Sequence, residues 1–171
     1  MPSNALFGKT IIITGSAVVR SVQQLIEQHG GEVYNYPLIE TAEIVSDDDK
    51  IYADNLDLYQ WLIFTSQNAV SSFVNKCERN RIKVPSSLKV AAVGEKTAAL
   101  LQQHGYPIHF MPTIYSADVF VKEFVMEPTE RALFLRGSMA KSTIHDGTGA
   151  DEWTVYETRL CTTYLQELEQ C

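Results

Sequence analysis

The sequence has few of the features that support covalent, metal or membrane chemistry. Its three cysteines, Cys77, Cys161 and Cys171, are an odd number and show none of the close spacings of a zinc-binding or redox motif. Separated cysteines of this kind favour reduced thiols, which are typical of a cytoplasmic protein. No apolar run approaches the about 20 residues that span a bilayer, and residues 1–7 do not resemble a secretion leader. We therefore expect a cytoplasmic location and no membrane partner.

Basic residues are also scarce. Lysine and arginine together number 14 against 21 acidic residues, which gives a formal net charge of -7. Binding to nucleic acid without sequence preference requires a basic face, so we expect no nucleic-acid partner. A site for an anionic ligand would have to use local backbone N–H groups, because the overall field of the protein is negative.

Several catalytic and nucleotide-binding motifs are missing. The sequence contains no phosphate loop of the Gly-x-x-x-x-Gly-Lys-Ser/Thr type, no Gly-x-Gly-x-x-Gly fingerprint and no Gly-x-Ser-x-Gly elbow. The segment 94–97 is only superficially similar to the end of a phosphate loop, since the first glycine is absent. The expected strand ends also do not fit a phospho-receiver, which needs acidic residues after its first strand and a phosphorylatable aspartate after its third. These absences argue against the common nucleotide-binding, hydrolytic and receiver types of α/β protein.

What the sequence does contain is five junctions at which an apolar run gives way to small, hydroxyl or glycine residues and then to a helical pattern. They occupy residues 11–16, 61–68, 90–97, 114–118 and 133–138. In α/β proteins such junctions lie at the carboxyl ends of parallel strands, where helix N-termini present N–H groups to a ligand. We therefore expect an α/β fold with a binding site for a polyanion at one edge of a sheet.

Hydrophobic periodicity predicts the remaining elements. Predicted strands span residues 9–14, 31–36, 61–65, 88–93, 108–111, 131–135 and 152–156, and predicted helices span residues 16–29, 96–104 and 117–125, with a further helix through residues 69–74 that ends near the charged stretch 76–83. Residues 25–30 and 100–105 are similar to each other, which indicates two units of the same α/β type.

Ser46 is predicted as the N-cap of a helix whose acidic first turn is solvated, since the acids lack the spacing of a calcium loop.

Two of the junctions leave alternatives open. The hydroxyls and N–H groups of residues 65–68 are equally suited to capping a helix and to holding a carboxylate. Arg136 is the strongest cationic candidate for a bidentate carboxylate contact, and its alternative role is an ordinary ion pair.

Five segments, taken in order, resemble the uroporphyrinogen-III synthase family: residues 63–70, 92–98, 115–118, 134–137 and 154–158. The resemblance implies two flavodoxin-like parallel-sheet domains joined by a two-stranded connector, with the first domain discontinuous. The resemblance places residues 1–36 and 161–171 in the first domain, residues 37–40 and 157–160 in the connectors, and residues 41–156 in the second domain.

The resemblance also implies a reaction. The family closes the linear tetrapyrrole hydroxymethylbilane into uroporphyrinogen III with loss of water, inverting the last pyrrole ring through a proposed spiro intermediate, and uses no cofactor or metal. The expected partner is therefore this polycarboxylate substrate, and the full-length protein is expected to be a monomer. Alternatives from another class are a non-catalytic α/β ligand-binding or regulatory module and an inactive fragment of the synthase.

By motif, Tyr156 matches a tyrosine proposed to act as general acid. Together the junctions and the resemblance give the candidate substrate-binding residues Thr14, Ser16, Thr65, Ser66, Gln67, Asn68, Val93, Gly94, Lys96, Thr97, Tyr115, Ser116, Ala117, Arg136, Gly137 and Ser138. The sequence departs from the family in two respects. Thr14-Gly15-Ser16 stands where threonine followed by arginine is usual, and the family's later motifs have no counterpart. We therefore expect an incomplete first domain in which the strand through residues 11–13 has an open edge.

Overall fold

The computed structural model describes residues 4–15 and 20–164. The chain divides into two compact units: unit 1 is formed by Met1–Ala42 and Thr158–Cys171, and unit 2 by Glu43–Glu157. Among the described residues, none of the helices has both the length and the apolar character needed to cross a membrane.

Unit 1 contains a small parallel sheet. Its elements are β1 (Thr10–Ile13), α1 (Arg20–Gln28) and β2 (Glu32–Asn35), and Ile11 pairs with Val33 in the parallel register of β1 and β2. Within residues 4–15 and 20–164, β2 is the only strand that pairs with β1, as expected for a strand with an open edge. Gly30 follows α1 with φ of +81°, the left-handed conformation that ends a helix and that glycine adopts without strain.

A second sheet has five strands in the order β3-β7-β6-β4-β5. The elements of this sheet and its helices are β3 (Ile39–Glu43), α2 (Asp48–Asp54), a 3-10 turn (Leu56–Leu58), β4 (Trp61–Phe64), α3 (Gln67–Asn80), β5 (Lys89–Ala92), α4 (Glu95–Gln103), α5 (Ala117–Glu123), β6 (Ala132–Gly137), α6 (Thr143–Thr148) and β7 (Asp151–Leu160). Strand β4 is parallel to β5 and to β6, and β6 is parallel to β7. The prediction of an α/β fold built on parallel strands is therefore confirmed.

The central strands of this sheet are buried on both faces. All four residues of β4 are buried, and successive side chains enter opposite apolar clusters: Leu62 packs with Phe73 of α3 on one face, and Ile63 packs with Phe120 of α5 on the other. A parallel strand that is covered on both faces has a continuous apolar sequence, and β4 was predicted correctly for this reason.

Several elements differ from the prediction, among them helix α6, which the sequence did not predict. Residues 108–111, predicted as a strand, form only an isolated bridge between Phe110 and Ala91. Pro107 and Pro112 flank the segment and have no N–H to donate, so the pairing with β5 cannot extend. Strand β3 was not predicted, because its sequence, Ile-Glu-Thr-Ala-Glu, lacks apolar alternation. Residues 39–40 lie in a predicted connector, and both β3 and β7 run across the boundary between the units.

The acidic run after β3 also differs from the prediction. Helix α2 begins at Asp48, and its N-cap is Asp47, which makes no side-chain capping bond; the prediction of Ser46 as the N-cap was wrong. Instead, the carboxylate of Asp49 accepts the N–H of Ser46 at 3.4 Å. Asp49 is buried rather than solvated, and its other oxygen accepts the Nε1–H of Trp153 at 3.1 Å.

The partner of Asp49 is a fully buried lysine. Lys76 lies on the core-facing side of α3 with no exposed side-chain surface, and its Nζ is 2.7 Å from Asp49 Oδ2 and 3.5 Å from Glu43 Oε1. The same ammonium donates to the carbonyl of Ile44. Burial of a charge is tolerated when it is paired and hydrogen-bonded in this way, so this network joins α3 to α2 and to the segment before it.

We predict that Lys76→Met lowers the free energy of unfolding by about 3–5 kcal/mol, because the substitution leaves the Asp49 carboxylate buried without its counterion. The matched control is Arg79→Met, which removes a half-exposed ion pair with Glu43 and should cost about 1 kcal/mol or less. Urea unfolding measures both. Equal losses in the two variants would contradict the assignment of Lys76 as a buried structural charge.

Candidate functional site

Polar segments that follow parallel strands meet at one edge of the five-stranded sheet. Because β4, β5, β6 and β7 are linked by parallel pairing, their carboxyl ends lie on the same side. Phe64, the last residue of β4, pairs with Ala92 of β5 and with Leu135 of β6. The residues that follow these positions are thereby brought together, as the junctions in the sequence predicted.

Ser66 begins helix α3. Its backbone is extended, and its Oγ accepts the N–H of Ala69 at 3.2 Å, which makes it the N-cap. Within the described part of the chain, the N–H groups of Gln67 and Asn68 donate to no acceptor of the protein. Ser66 therefore caps α3, and the first turn still has two N–H donors at the positive end of the helix, where an anion is stabilised.

Tyr156 of β7 lies beside this helix start. Its phenol oxygen is 3.1 Å from Ser66 Oγ. A bulge between Arg136 and Gly137 shifts the register of β6 against β7, so that Gly137 is opposite Tyr156. A Cβ at position 137 would stand 2.4 Å from Cζ of the tyrosine, so only glycine leaves room for the ring. The structure thus brings together Ser66, Gly137 and Tyr156, all predicted site residues.

The junction between β5 and α4 is accessible to a ligand. Val93 is buried, and its N–H donates to the carbonyl of Phe64 at 3.0 Å. Gly94 is the N-cap of α4, and a Cβ added there would meet nothing within 4 Å. In the first turn of α4, Thr97 is buried whereas Lys96 is exposed. Lys96 is therefore available to an anionic ligand at this helix start.

A cavity of about 320 Å³ lies at the same edge. It is lined by Thr65, Ala117, Asp118, Phe134, Ala140, Lys141, Thr143 and Ile144. Thr65 and Ala117 are among the predicted site residues, whereas Ala140 and Lys141 of the loop after β6 and Thr143 and Ile144 of α6 are not. The signal was present in Lys141-Ser142-Thr143, a basic and hydroxyl run that follows a buried strand just as the other junctions do.

Arg136 is occupied by partners within the protein. Its guanidinium pairs with Glu152 and donates to the carbonyl of Ala140, and its Nε donates to the carbonyl of Gly137 at 3.3 Å. Only 15% of the side chain is exposed. Of the two roles left open by the sequence, the structure contains the ion pair, through which Arg136 holds the loop after β6.

The remaining predicted residues are more scattered. Ser116 caps the short helix α5 by accepting the N–H of Val119 at 3.2 Å, Tyr115 is exposed, and the N–H of Ser138 donates to the carbonyl of Tyr156 at 2.9 Å. Thr14 is an exposed residue of unit 1, and Ser16 lies outside the described residues.

Thiol chemistry is not favoured at Cys77. The residue is 8% exposed, and burial raises the pKa of its thiol to about 12, so it is protonated and poorly nucleophilic at neutral pH. Among residues 4–15 and 20–164 there is no group of three or more histidine, cysteine, aspartate or glutamate side chains placed to hold a metal ion.

These features define an α/β protein whose parallel strands present hydroxyls, N–H donors and one phenol at one edge of the sheet. A family model described as "Uroporphyrinogen-III synthase HemD" matches residues 20–170, and the chain therefore belongs to the uroporphyrinogen-III synthase family.

Individual relatives agree with this assignment. A provisionally named uroporphyrinogen-III synthase of Methanocaldococcus jannaschii is 29% identical over 136 residues, which cover 78% of this chain and 55% of that protein. The uroporphyrinogen-III synthase of Chlorobaculum parvum is 28% identical over 144 residues, covering 77% of this chain and 56% of the relative. The chain thus spans about half the length of the curated relatives that it matches.

Solved structures of the family share the fold. A mutant uroporphyrinogen III synthase of Thermus thermophilus matches with a TM-score of 0.71 at 13% identity, covering 94% of this chain and 67% of that one. The uroporphyrinogen-III synthetase of Helicobacter pylori matches with a TM-score of 0.60 at 21% identity, with the same coverage of both chains.

We predict that Gly137→Ala displaces the Tyr156 ring and destabilises the protein by about 1–3 kcal/mol, since the new methyl group would overlap the ring in a packed site. Gly15→Ala is the control, because a Cβ there meets nothing within 4 Å and should change stability by about 0.5 kcal/mol or less. Urea unfolding and tyrosine near-ultraviolet circular dichroism report the two effects. A Gly137→Ala protein with unchanged stability and an unchanged tyrosine signal would contradict this packing.

Proposed function

We propose that the strand-end edge of unit 2 binds hydroxymethylbilane and takes part in its closure to uroporphyrinogen III. The observation that carries the proposal is the position of the Tyr156 phenol, 3.1 Å from Ser66 Oγ at the N-terminus of α3. This contact places a proton donor beside N–H groups suited to carboxylates. Membership of the synthase family supports the choice of substrate.

The N-termini of α3 and α4 supply the binding. Acetate and propionate carboxylates of the substrate accept N–H bonds from Gln67 and Asn68 and from the first turn of α4, each helix start contributing about 0.3–1 kcal/mol. The exposed ammonium of Lys96 adds a point charge. Several such weak contacts hold the flexible tetrapyrrole in one folded conformation without a strongly basic surface, and such positioning is itself a large part of catalysis.

The phenol of Tyr156 supplies the proton that the leaving group requires. The bond between the terminal methylene carbon and its hydroxyl breaks, the electron pair leaves with the oxygen, and the phenol proton completes a water molecule. The resulting azafulvene-like cation is attacked by the substituted α-carbon of the last ring, which forms the spiro intermediate. The bond from that carbon to its original bridging methylene then breaks and leaves the methylene as a second azafulvene-like cation. The free α-carbon of the same ring attacks this methylene and loses its proton, which restores the phenol. The balance is hydroxymethylbilane in, uroporphyrinogen III and water out.

We further propose that the two units are flavodoxin-like domains and that β3 and β7 serve as the strands between them. The parallel pairing of β1 with β2 in unit 1 and the doubly covered sheet of unit 2 support this proposal.

The proposed activity is tested by generating hydroxymethylbilane in place and separating the uroporphyrinogen isomers. We expect isomer III from the chain, and we expect Tyr156→Phe to lower kcat by about tenfold to a hundredfold, at or below the lower end of the range for general acids because a phenol is weakly acidic.

Tyr106→Phe is the matched control for that experiment. It removes a phenol beyond the C-terminal end of α4, the opposite end of that helix from Gly94, and should leave the rate unchanged. Production of isomer I alone, the uncatalysed product, would count against catalysis by this chain and favour a non-catalytic binding module. An unaltered rate in Tyr156→Phe would remove the tyrosine from the mechanism.

Lys96→Gln should raise KM about twofold to tenfold with little change in kcat, because it removes an exposed charge that holds substrate and transition state equally. The effect should shrink as salt is added. Lys83 is also exposed and lies beyond the C-terminal end of α3, so Lys83→Gln should leave KM unchanged. The same KM change in both variants would indicate a general effect of charge and not a contact at the N-terminus of α4.

A further inference from the structure

The contact between Ser66 and Tyr156 has a direction that matters for catalysis. Either hydroxyl can be the donor across the 3.1 Å between Ser66 Oγ and Tyr156 Oη. If the tyrosine donates, its proton is engaged by Ser66 and is less available to a ligand. If the serine donates, the phenol oxygen is the acceptor and the phenol proton is free to point into the site.

We infer that Ser66 is a positioning residue that donates its hydroxyl proton to Tyr156 Oη and so presents the phenol proton to the leaving group; this inference rests on the proposed function. The Ser66 oxygen already accepts the N–H of Ala69 at 3.2 Å. An oxygen that accepts one hydrogen bond becomes a better donor in the next, so the cap favours donation toward Tyr156. The hydrogen bonds then run in one direction, from the N–H of Ala69 through Ser66 to Tyr156 and on to the substrate.

The location of Ser66 strengthens this direction. Ser66 is the N-cap of a helix of 14 residues, whose positive end favours negative charge nearby. As the phenol gives up its proton, negative charge develops on Oη, and the bond from Ser66 becomes stronger than it was in the resting state. An interaction that strengthens in this way accelerates the step rather than merely binding the substrate.

The backbone around Tyr156 keeps the phenol in reach of Ser66. The N–H of Ser138 donates to the tyrosine carbonyl at 2.9 Å, and the ring lies against Gly137, where a Cβ would be 2.6 Å from the hydroxyl oxygen. The ring therefore has a fixed wall on the side of β6. Ser66 provides the polar contact on the side of α3, so these two residues define where the phenol oxygen stands.

Three substitutions separate capping from donation. Ser66→Thr keeps both the capping oxygen and the hydroxyl proton, and should hold kcat within about twofold of the parent. Ser66→Asp keeps a capping acceptor but has no proton to donate at neutral pH, and should lower kcat while retaining stability. Ser66→Ala loses both, and should lower kcat by about threefold to tenfold, the effect of one neutral hydrogen bond. Normal kcat in a stable Ser66→Asp protein would overturn the inference.

A double-mutant cycle tests whether Ser66 acts through Tyr156. In a Tyr156→Phe background no phenol oxygen remains to receive the bond, so Ser66→Ala should lower kcat no further, within about twofold. KM should change little in either background. An equal fall of kcat in both backgrounds would show that Ser66 acts on the substrate directly, and would overturn the positioning role.

A spectroscopic readout keeps this inference separable from the proposed function. Tyrosine labelled with ¹³C at Cζ reports the electron density at the phenol carbon, and the Tyr156 signal is assigned by its loss in Tyr156→Phe. A phenol that donates is shifted toward the phenolate position, and a phenol that accepts is shifted the opposite way. Loss of acceptance in Ser66→Ala should therefore move the signal toward the phenolate side, and Ser66→Thr should leave it in place. No movement, or movement the other way, would overturn the inference even if the chain formed only isomer I.

Discussion

The parallel hydrogen bonding of β4, β5, β6 and β7 is the constraint on which the site depends. Parallel strands begin at one edge of a sheet and end at the other, so each buried strand delivers its next residues to the same place. Phe64 pairs with Ala92 on one side and Leu135 on the other, and this register sets Thr65, Val93 and the loop after β6 side by side. The apolar contacts on both faces of the sheet hold the register, and the polar edge is the result.

The bulge between Arg136 and Gly137 makes room for the proposed proton donor at this edge. The shift in register between Arg136 and Gly137 places a residue without a side chain opposite Tyr156. An aromatic ring can then lie over the backbone of β6 and bring its hydroxyl to the start of α3. Arg136, although its charge suggested a ligand contact, is used to hold the loop that follows the bulge. The strongest cation at this edge therefore serves the geometry of the site.

The sequence predicted the parts of the fold that depend on local pattern. The runs at β4, β5 and β6 are apolar because both faces are covered, and their polar ends were recognisable as junctions. The prediction from sequence failed where contacts between distant segments determine whether a residue is buried. Lys76 lay in a stretch interpreted as the charged end of a helix, yet it is fully buried because Asp49 and Ile44 satisfy it. No local pattern contains that information, although the helical spacing from Phe73 does place Lys76 on the core side.

Helix α3 is attached to polar partners at two points along its length, and this has a mechanical consequence. At its N-terminus Ser66 contacts Tyr156, and two-thirds of the way along, Lys76 contacts Asp49, which also holds Trp153 of β7. Both attachments lead to the same strand, three residues apart. A slide of the helix along its axis would strain both at once, so the distance between the two site hydroxyls is set in part by an ion pair that lies outside the site. The buried Lys76 therefore restrains α3 along its axis and helps to hold Ser66 beside Tyr156.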